Sequence, residues 1–290
     1  MNDIQKTKIS GRLREYCDRY ESQNRAANSL KGVSSATVSQ MLNGKWDLIT
    51  DEMWRKVSAQ IGFDESEWVM AETRDFKAIT LLLKEAQELS AARHADVFVA
   101  VGGSGTGKSA AVQYYAGGHK QVYLVGCAEH WTKTTFLQKI MLAMGRDSSG
   151  MTLNDLMDAI VLNLKSEERP VLIFDEIDKL NNPVLYFFIT LYNELQPDCS
   201  IFMCATSYLE QRILRGCRYN QKGFNEIYSR MGRKCIPLYG LSKKDIALVC
   251  TQNGITEQSE IDEIIADSDN DLRRVRRKVY AIKKRRLTQI

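Results

Sequence analysis

The sequence predicts an α/β core built on a parallel sheet, with an all-α segment before it and a small helical segment after it. Three observations carry this. Short apolar runs at Val97–Val101, Val122–Val125, Val171–Phe174 and Ile201–Ala205 alternate with helix-compatible stretches, and Cys235–Leu238 is a weaker fifth run. Continuous apolar runs bounded by turns suit strands covered on both faces. A glycine-rich turn follows the first run, and two acids close the third. Roughly the first 70 and the last 50 residues read as helix alone. The segments expected are therefore 1–70, 71–240 and 241–290.

The elements follow in chain order. Ile9–Tyr20 is a candidate helix. Ser22 suits the cap of a second helix running to Leu30, and Ser34 or Ser35 the cap of a third ending near Leu42. Asn43-Gly44 marks a turn. Thr50 opens a further helix whose Met53, Trp54, Val57 and Ile61 share one apolar face, and Gly62 stops it. Ala71 to Arg93 reads as one amphipathic helix, with Phe76, Ile79, Leu82, Leu83, Ala86 and Leu89 on its apolar side. The α/β alternation then runs to about residue 240.

Composition bounds the class. The chain has 290 residues, 44% hydrophobic and 26% charged, the mix of a globular protein. That excludes a mostly disordered chain, a collagen-like chain and a disulfide-stapled scaffold. No run approaches the ~18–20 uncharged apolar residues of a membrane span. The amino terminus lacks a secretory pattern, so a cytoplasmic protein without membrane contact is expected. Seven scattered cysteines, never spaced CxxC, read as reduced thiols. Net charge is +4, too mild to announce a nucleic-acid partner. Its distribution is uneven: seven acids lie between Glu257 and Asp271, and nine bases with no acid between Arg273 and Arg286. Two readings stand: a solvated helix balanced by its acidic neighbour, or a phosphate-contacting surface.

Gly102-Gly103-Ser104-Gly105-Thr106-Gly107-Lys108-Ser109 matches G-x-x-x-x-G-K-[ST]. Glycines let backbone N–H groups turn inward around a phosphate with no Cβ in the way. Lys108 brings charge to the β and γ phosphates, Ser109 offers a hydroxyl to Mg²⁺, and the next helix presents its positive end. ATP and Mg²⁺ are the expected cofactors. Val171-Leu172-Ile173-Phe174-Asp175-Glu176 is an apolar strand ending in two acids. Beside a phosphate loop, Asp175 suits a metal-holding role and Glu176 that of a base for water. Both motifs then fall at the carboxyl edge of one sheet.

With these motifs the chain resembles the AAA+ ATPases over roughly residues 72–286. The resemblance implies a P-loop core with a small helical lid. It implies a polar sensor after the strand Ser200–Ala205, where Thr206 is favoured over Ser207. Glu226-Ile227-Tyr228-Ser229-Arg230-Met231-Gly232-Arg233 resembles the family's serine-arginine box, implying Arg230, with Arg233 second, as a finger for the neighbouring subunit. Asn270-Asp271-Leu272-Arg273 resembles the lid pattern G-D-x-R with Asn for Gly, which leaves Arg273 and Arg274 as alternatives.

Residues Ser22–Leu30, Lys31-Gly32-Val33 and Ser34–Leu42 resemble a helix-turn-helix of the phage-repressor type. Ala26 and Ala27 allow a close helix crossing, Gly32 permits the turn, and Val33, Val38 and Leu42 face the core. The resemblance implies that Ser34, Ser35, Thr37, Ser39 and Gln40 meet DNA. Residues 1–70 carry ten bases and ten acids, so weak, poorly sequence-specific binding is expected, or a protein-interaction module instead. Thr132-Lys133-Thr134-Thr135 opens a helix, and Lys133 is the core's candidate DNA contact.

A repressor-like module, a small AAA+ core and a basic tail in this order resemble the transposition ATPases that select target DNA. That resemblance implies ATP-dependent, largely non-specific binding to double-stranded DNA, a helical homo-oligomeric filament, and activation of a transposase. A helicase-loader-like ATPase and an ATP-regulated helix-turn-helix transcription regulator remain as alternatives.

Overall fold

The computed structural model describes residues 3–63 and 68–288. The amino-terminal module comprises α1 (Asp3–Cys17), α2 (Gln23–Ser29), α3 (Ser35–Leu42) and α4 (Asp51–Gln60). The first helix starts and ends earlier than Ile9–Tyr20. Three of the four have the expected caps: Ser22, Ser34 and Thr50 accept backbone N–H groups from Arg25, Thr37 and Met53. Ile9, Leu13, Ala26, Ala27, Val38, Met41, Trp54 and Val57 close a core of their own. Leu42 packs half-buried against this core, as assigned, and Met41 beside it is buried within it.

Next come α5 (Arg74–Ala91), β1 (Val97–Val101), α6 (Lys108–Gly118), β2 (Val122–Gly126), α7 (Lys133–Ala143) and α8 (Leu153–Lys165). They are followed by β3 (Val171–Asp175), α9 (Asn182–Leu195), β4 (Ser200–Ala205), α10 (Ser207–Arg218), α11 (Phe224–Arg230) and β5 (Ile236–Pro237). The fifth strand is two residues long rather than Cys235–Leu238; it pairs with β1 at Ile236 and Pro237, and Leu238 N–H still donates to the Val101 carbonyl at 2.8 Å. The sheet is parallel throughout, in the order β2-β3-β4-β1-β5.

Alternation within each strand sorts its side chains to two cores. Leu172, Phe174, Ile201 and Met203 face Leu137, Ile160 and Phe188 of α7, α8 and α9. Ile173, Phe202 and Cys204 face Ile79, Leu83, Ala111 and Val112 of α5 and α6. Both faces are therefore covered, as the uninterrupted apolar runs require.

The chain closes with α12 (Lys243–Gln252), α13 (Gln258–Ser268) and α14 (Leu272–Thr288). Ile246, Val249, Ile264, Val275 and Val279 form their core, joined by Trp68 and Ala71 from the segment before α5. Asp245 anchors this unit: it accepts Ser242 N–H at 2.9 Å in a capping box and Arg74 Nε at 3.2 Å. No described helix is long and apolar enough to cross a membrane.

Candidate functional site

The register aligns the ends of β1, β4 and β3: Val101 opposes Ala205, and Asp175 opposes Cys204. The glycine-rich loop after β1 therefore lies beside the residues that follow β4 and close β3. They share a groove of about 580 Å³ that includes Lys108, Asp175, Glu176, Asp178, Thr206 and Arg273. Ser104, Gly105, Thr106, Gly107 and Ser109 also line it.

The loop backbone needs its glycines. Gly105 and Gly107 hold φ of 78° and 96°, in the left-handed region. Gly102 and Gly103 supply carbonyls to Lys108 Nζ at 2.8 and 2.6 Å. Burial holds the Lys108 ammonium below its usual range, while the charges of Asp175 and Asp178 pull it back up. Thr106 Oγ1 donates to the Gly103 carbonyl at 3.1 Å. Gly107 precedes α6 without a side-chain cap. The first N–H groups of α6 thus begin at the groove.

Asp175 is buried, and burial raises its carboxyl above the usual range; a hydrogen bond from Ser109 pulls it back. The two groups expected to share a metal are therefore adjacent. Glu176 sits at φ 55°, left-handed backbone uncommon for a residue with a side chain. Its carboxylate pairs with Lys179. Thr206 Oγ1 donates to Asp178 Oδ2 at 2.6 Å. Sequence reasoning missed Asp178, although its place three residues past Asp175 was visible. It also missed Arg212, which donates from α10 to the carbonyls of Asp178 and Leu180 at 3.2 and 2.7 Å and braces the acidic turn.

The carboxy-terminal helices close the groove from above. Leu272 N–H donates to the Gly105 carbonyl at 2.9 Å, and a Cβ on Gly105 would run into the Asp271 carboxylate. Arg273 Nη1 reaches Ser104 Oγ at 3.3 Å, whereas Arg274 turns away to Asp267. Asn270 holds φ 56°, a conformation asparagine tolerates, so its replacement of glycine keeps the turn.

The remaining candidates lie apart from this groove. Arg230 is on α11, where its Nε donates to Asn193 Oδ1 at 3.2 Å and its guanidinium lies 6.0 Å from the Tyr192 ring. Arg233 is exposed at φ 57°. Lys133 is exposed as the first residue of α7, with Nζ 5.5 Å from the Phe187 ring. Ser34 is exposed, but its hydroxyl caps α3 and bonds Thr37 Oγ1 at 2.8 Å. Ser35, Thr37, Ser39 and Gln40 are half-exposed on α3.

The donor set fits a Mg²⁺-bound nucleoside triphosphate. It offers a glycine-rich cradle, a lysine at the helix start, and a hydroxyl–carboxylate pair beside it.

A model of the AAA domain family matches residues 91–213, from the end of α5 into α10. No curated protein matches the chain. Among solved structures, the chain is similar to the RuvB Holliday junction branch migration motor of Thermotoga maritima. That match has 19% identity and a TM-score of 0.45, over 72% of this chain and 61% of that one. A closed-state reconstruction of Hsp104 with ATPγS and FITC-casein matches at 14% identity and TM-score 0.43, over 95% of this chain and 58% of that one. The chain thus spans about three fifths of the length of these structures.

Proposed function

We propose that the chain is an AAA+ ATPase that assembles on double-stranded DNA as a homo-oligomeric filament, selects it as target and activates a transposase. The observation that carries the ATPase reading is the convergence of Lys108, Ser109, Asp175, Glu176, Thr206 and Arg273 on one groove. Mg²⁺-bound ATP supplies the phosphoryl group that passes to water.

Lys108 and the first N–H groups of α6 would bind phosphate oxygens, and Ser109 and Asp175 would hold the metal, which would screen the phosphate charge. Glu176 accepts the proton of the attacking water, and Thr206, fixed by Asp178, orients that water. Arg273 carries lid position to the loop through Ser104. Arg230 lies outside its own chain's groove, which suits a finger offered to a neighbouring copy. Hydrolysis then depends on assembly.

The DNA reading is supported by the half-exposed polar face of α3, exposed Lys133 and the basic α14. The order of parts resembles the B protein of phage Mu, the transposition ATPase, and the transposase partner rests on that resemblance. A filament needs only repeated phosphate contacts, so base readout is not required.

The test is electron microscopy of the chain on random-sequence duplex DNA, with ATP, with ADP and with Lys108→Ala. Continuous filaments with ATP only, lost in the variant, are the expected result. A discrete complex on one sequence, or closed rings preferring single strands, would overturn the reading.

A further inference from the structure

The groove is not lined by the core and carboxy-terminal helices alone. Arg12 of α1 and Phe63, beyond α4, line it together with Ala110 and Gln113 of α6. The module that carries them is seated on the far ends of α6 and α7. Arg19 Nη1 donates to the Ala116 carbonyl at 3.4 Å, and Tyr20 Oη to the Ala143 carbonyl at 3.3 Å. Gly145 holds φ 68°, and a Cβ there would run into the Arg25 carbonyl oxygen. Glycine is what lets α2 come so close.

A Cβ on Gly117 would lie 3.3 Å from Arg12 Nη2 and 3.8 Å from Arg19 Nη1. Arg12 of α1 and Arg19, just past its end, therefore rest at the carboxyl end of α6, where the helix carries partial negative charge. Lys108 is the first residue of that same helix. One end of α6 faces the phosphate loop, and the other supports the module. Arg12 Nη1 is held by Glu15 at 2.6 Å, while Nη2 is the nitrogen nearer Gly117.

We propose that the docked amino-terminal module completes the nucleotide groove through Arg12, at its nucleoside end, so that nucleotide binding and module docking are coupled. This rests on reading the groove as an ATP site. Lys108 and Ser109 mark the phosphate end. Arg12 lies toward the opposite end of α6, by Gly117, and shares the groove lining with Gln113; there a guanidinium can meet ribose hydroxyls and base acceptors. Binding that engages Arg12 holds the module down, and by linkage a seated module tightens binding by the same factor.

The test uses the full chain and mant-ATP with Mg²⁺. Arg12→Ala is expected to weaken binding about tenfold. Lys8→Ala, exposed on the same helix, leaves it unchanged. Arg19→Ala with Tyr20→Ala, which unseats the module, weakens binding similarly and adds nothing to Arg12→Ala. ATPγS slows hydrogen exchange across residues 18–25 in the wild type but not in Arg12→Ala. If the double variant loses exchange protection within the module core, the single Arg12→Ala result decides. Wild-type affinity in Arg12→Ala overturns the coupling. If Lys108→Ala also binds like the wild type, or the wild type does not bind, the ATP-site reading itself fails. Loss in Lys108→Ala with no change in Arg12→Ala removes the coupling alone.

Discussion

Glu167, between α8 and β3, offers a stability test that does not depend on any function. Tyr123 Oη donates to its Oε1 at 2.6 Å, while the buried Oε2 has no hydrogen-bond partner among the described residues. Burial pushes the carboxyl up to about 7. The Tyr123 hydrogen bond and the charges of Arg146 and Arg25 act against that, and the Glu21 carboxylate adds to it. An acid whose folded value exceeds the unfolded one binds its proton more tightly when folded. Its contribution is whole below the unfolded value of 4.5 and is lost as pH rises through about 7. At about 1.4 kcal/mol per pH unit, the loss totals about 3 kcal/mol.

Glu167→Gln keeps an acceptor for Tyr123 and removes the ionisation. It also places an amide N–H where Oε2 has no partner, at a cost of about 1–2 kcal/mol. The variant is therefore expected to be less stable than the wild type below pH ~4.5, equal to it near pH ~5.5 and more stable by about 1–2 kcal/mol at pH 8. Urea denaturation followed by tryptophan fluorescence, repeated from pH 4.5 to 8, reads the difference. Other titrating groups are common to both proteins and cancel. A difference that stays constant across this range, or that moves in the wild type's favour, would refute the reasoning.

Two further substitutions set opposing effects against each other. Gly216→Ala removes a glycine from the interior of α10, which alone favours the helix by about 1 kcal/mol. Its methyl would run into the near edge of the buried Phe224 ring, so a net loss of about 1–3 kcal/mol is expected in urea denaturation. Asp245→Ala strips the capping box from α12 and leaves Arg74 without its carboxylate. Burial works against the ionised form of Asp245, yet the hydrogen bonds from Ser242 and Arg74 outweigh it and hold the carboxyl below its usual range. A loss of about 2–4 kcal/mol is expected at pH 7, and the wild-type advantage should shrink as pH falls through the carboxylate range.

What was legible in the sequence was local. The caps at Ser22, Ser34, Thr50 and Thr132 act within three residues of themselves. The four long strands announced themselves because both faces are covered. The groove was legible wherever a motif is contiguous: Gly102–Ser109 and Asp175-Glu176 converge because parallel strands end at one edge. Contacts between distant segments left no such trace. Nothing around Arg12 distinguishes it from Arg14, since only docking on α6 separates them. Arg273 and Arg274 read alike in the sequence, and only the fold separates the guanidinium that reaches Ser104 from the one that pairs with Asp267. Nothing in the sequence marks Gly145, because its tight approach to Arg25 depends on a partner 120 positions away.

The segregated charge near the carboxyl end was left with two readings, and the ion pairs of the structure are those that the first, a helix balanced by its acidic neighbour, requires. Lys278 pairs with Glu263 and Asp267 at 3.6 and 3.3 Å, Arg274 with Asp267 at 3.4 Å, and Arg286 with Glu260 at 2.5 Å. The acidic α13 thus neutralises much of one side of α14. These are surface pairs, each contributing roughly 0–1 kcal/mol, so phosphates can compete for the same bases at little cost. A chain of net charge +4 laced in this way presents no concentrated positive field as a single copy. On the proposed reading, tight binding to duplex DNA must come from repeating a modest surface along the strand, because linked contacts multiply where single ones are weak. Assembly and DNA affinity are then one equilibrium. A variant that blocks contact between copies should lose DNA binding, even with every lysine and arginine of its surface intact.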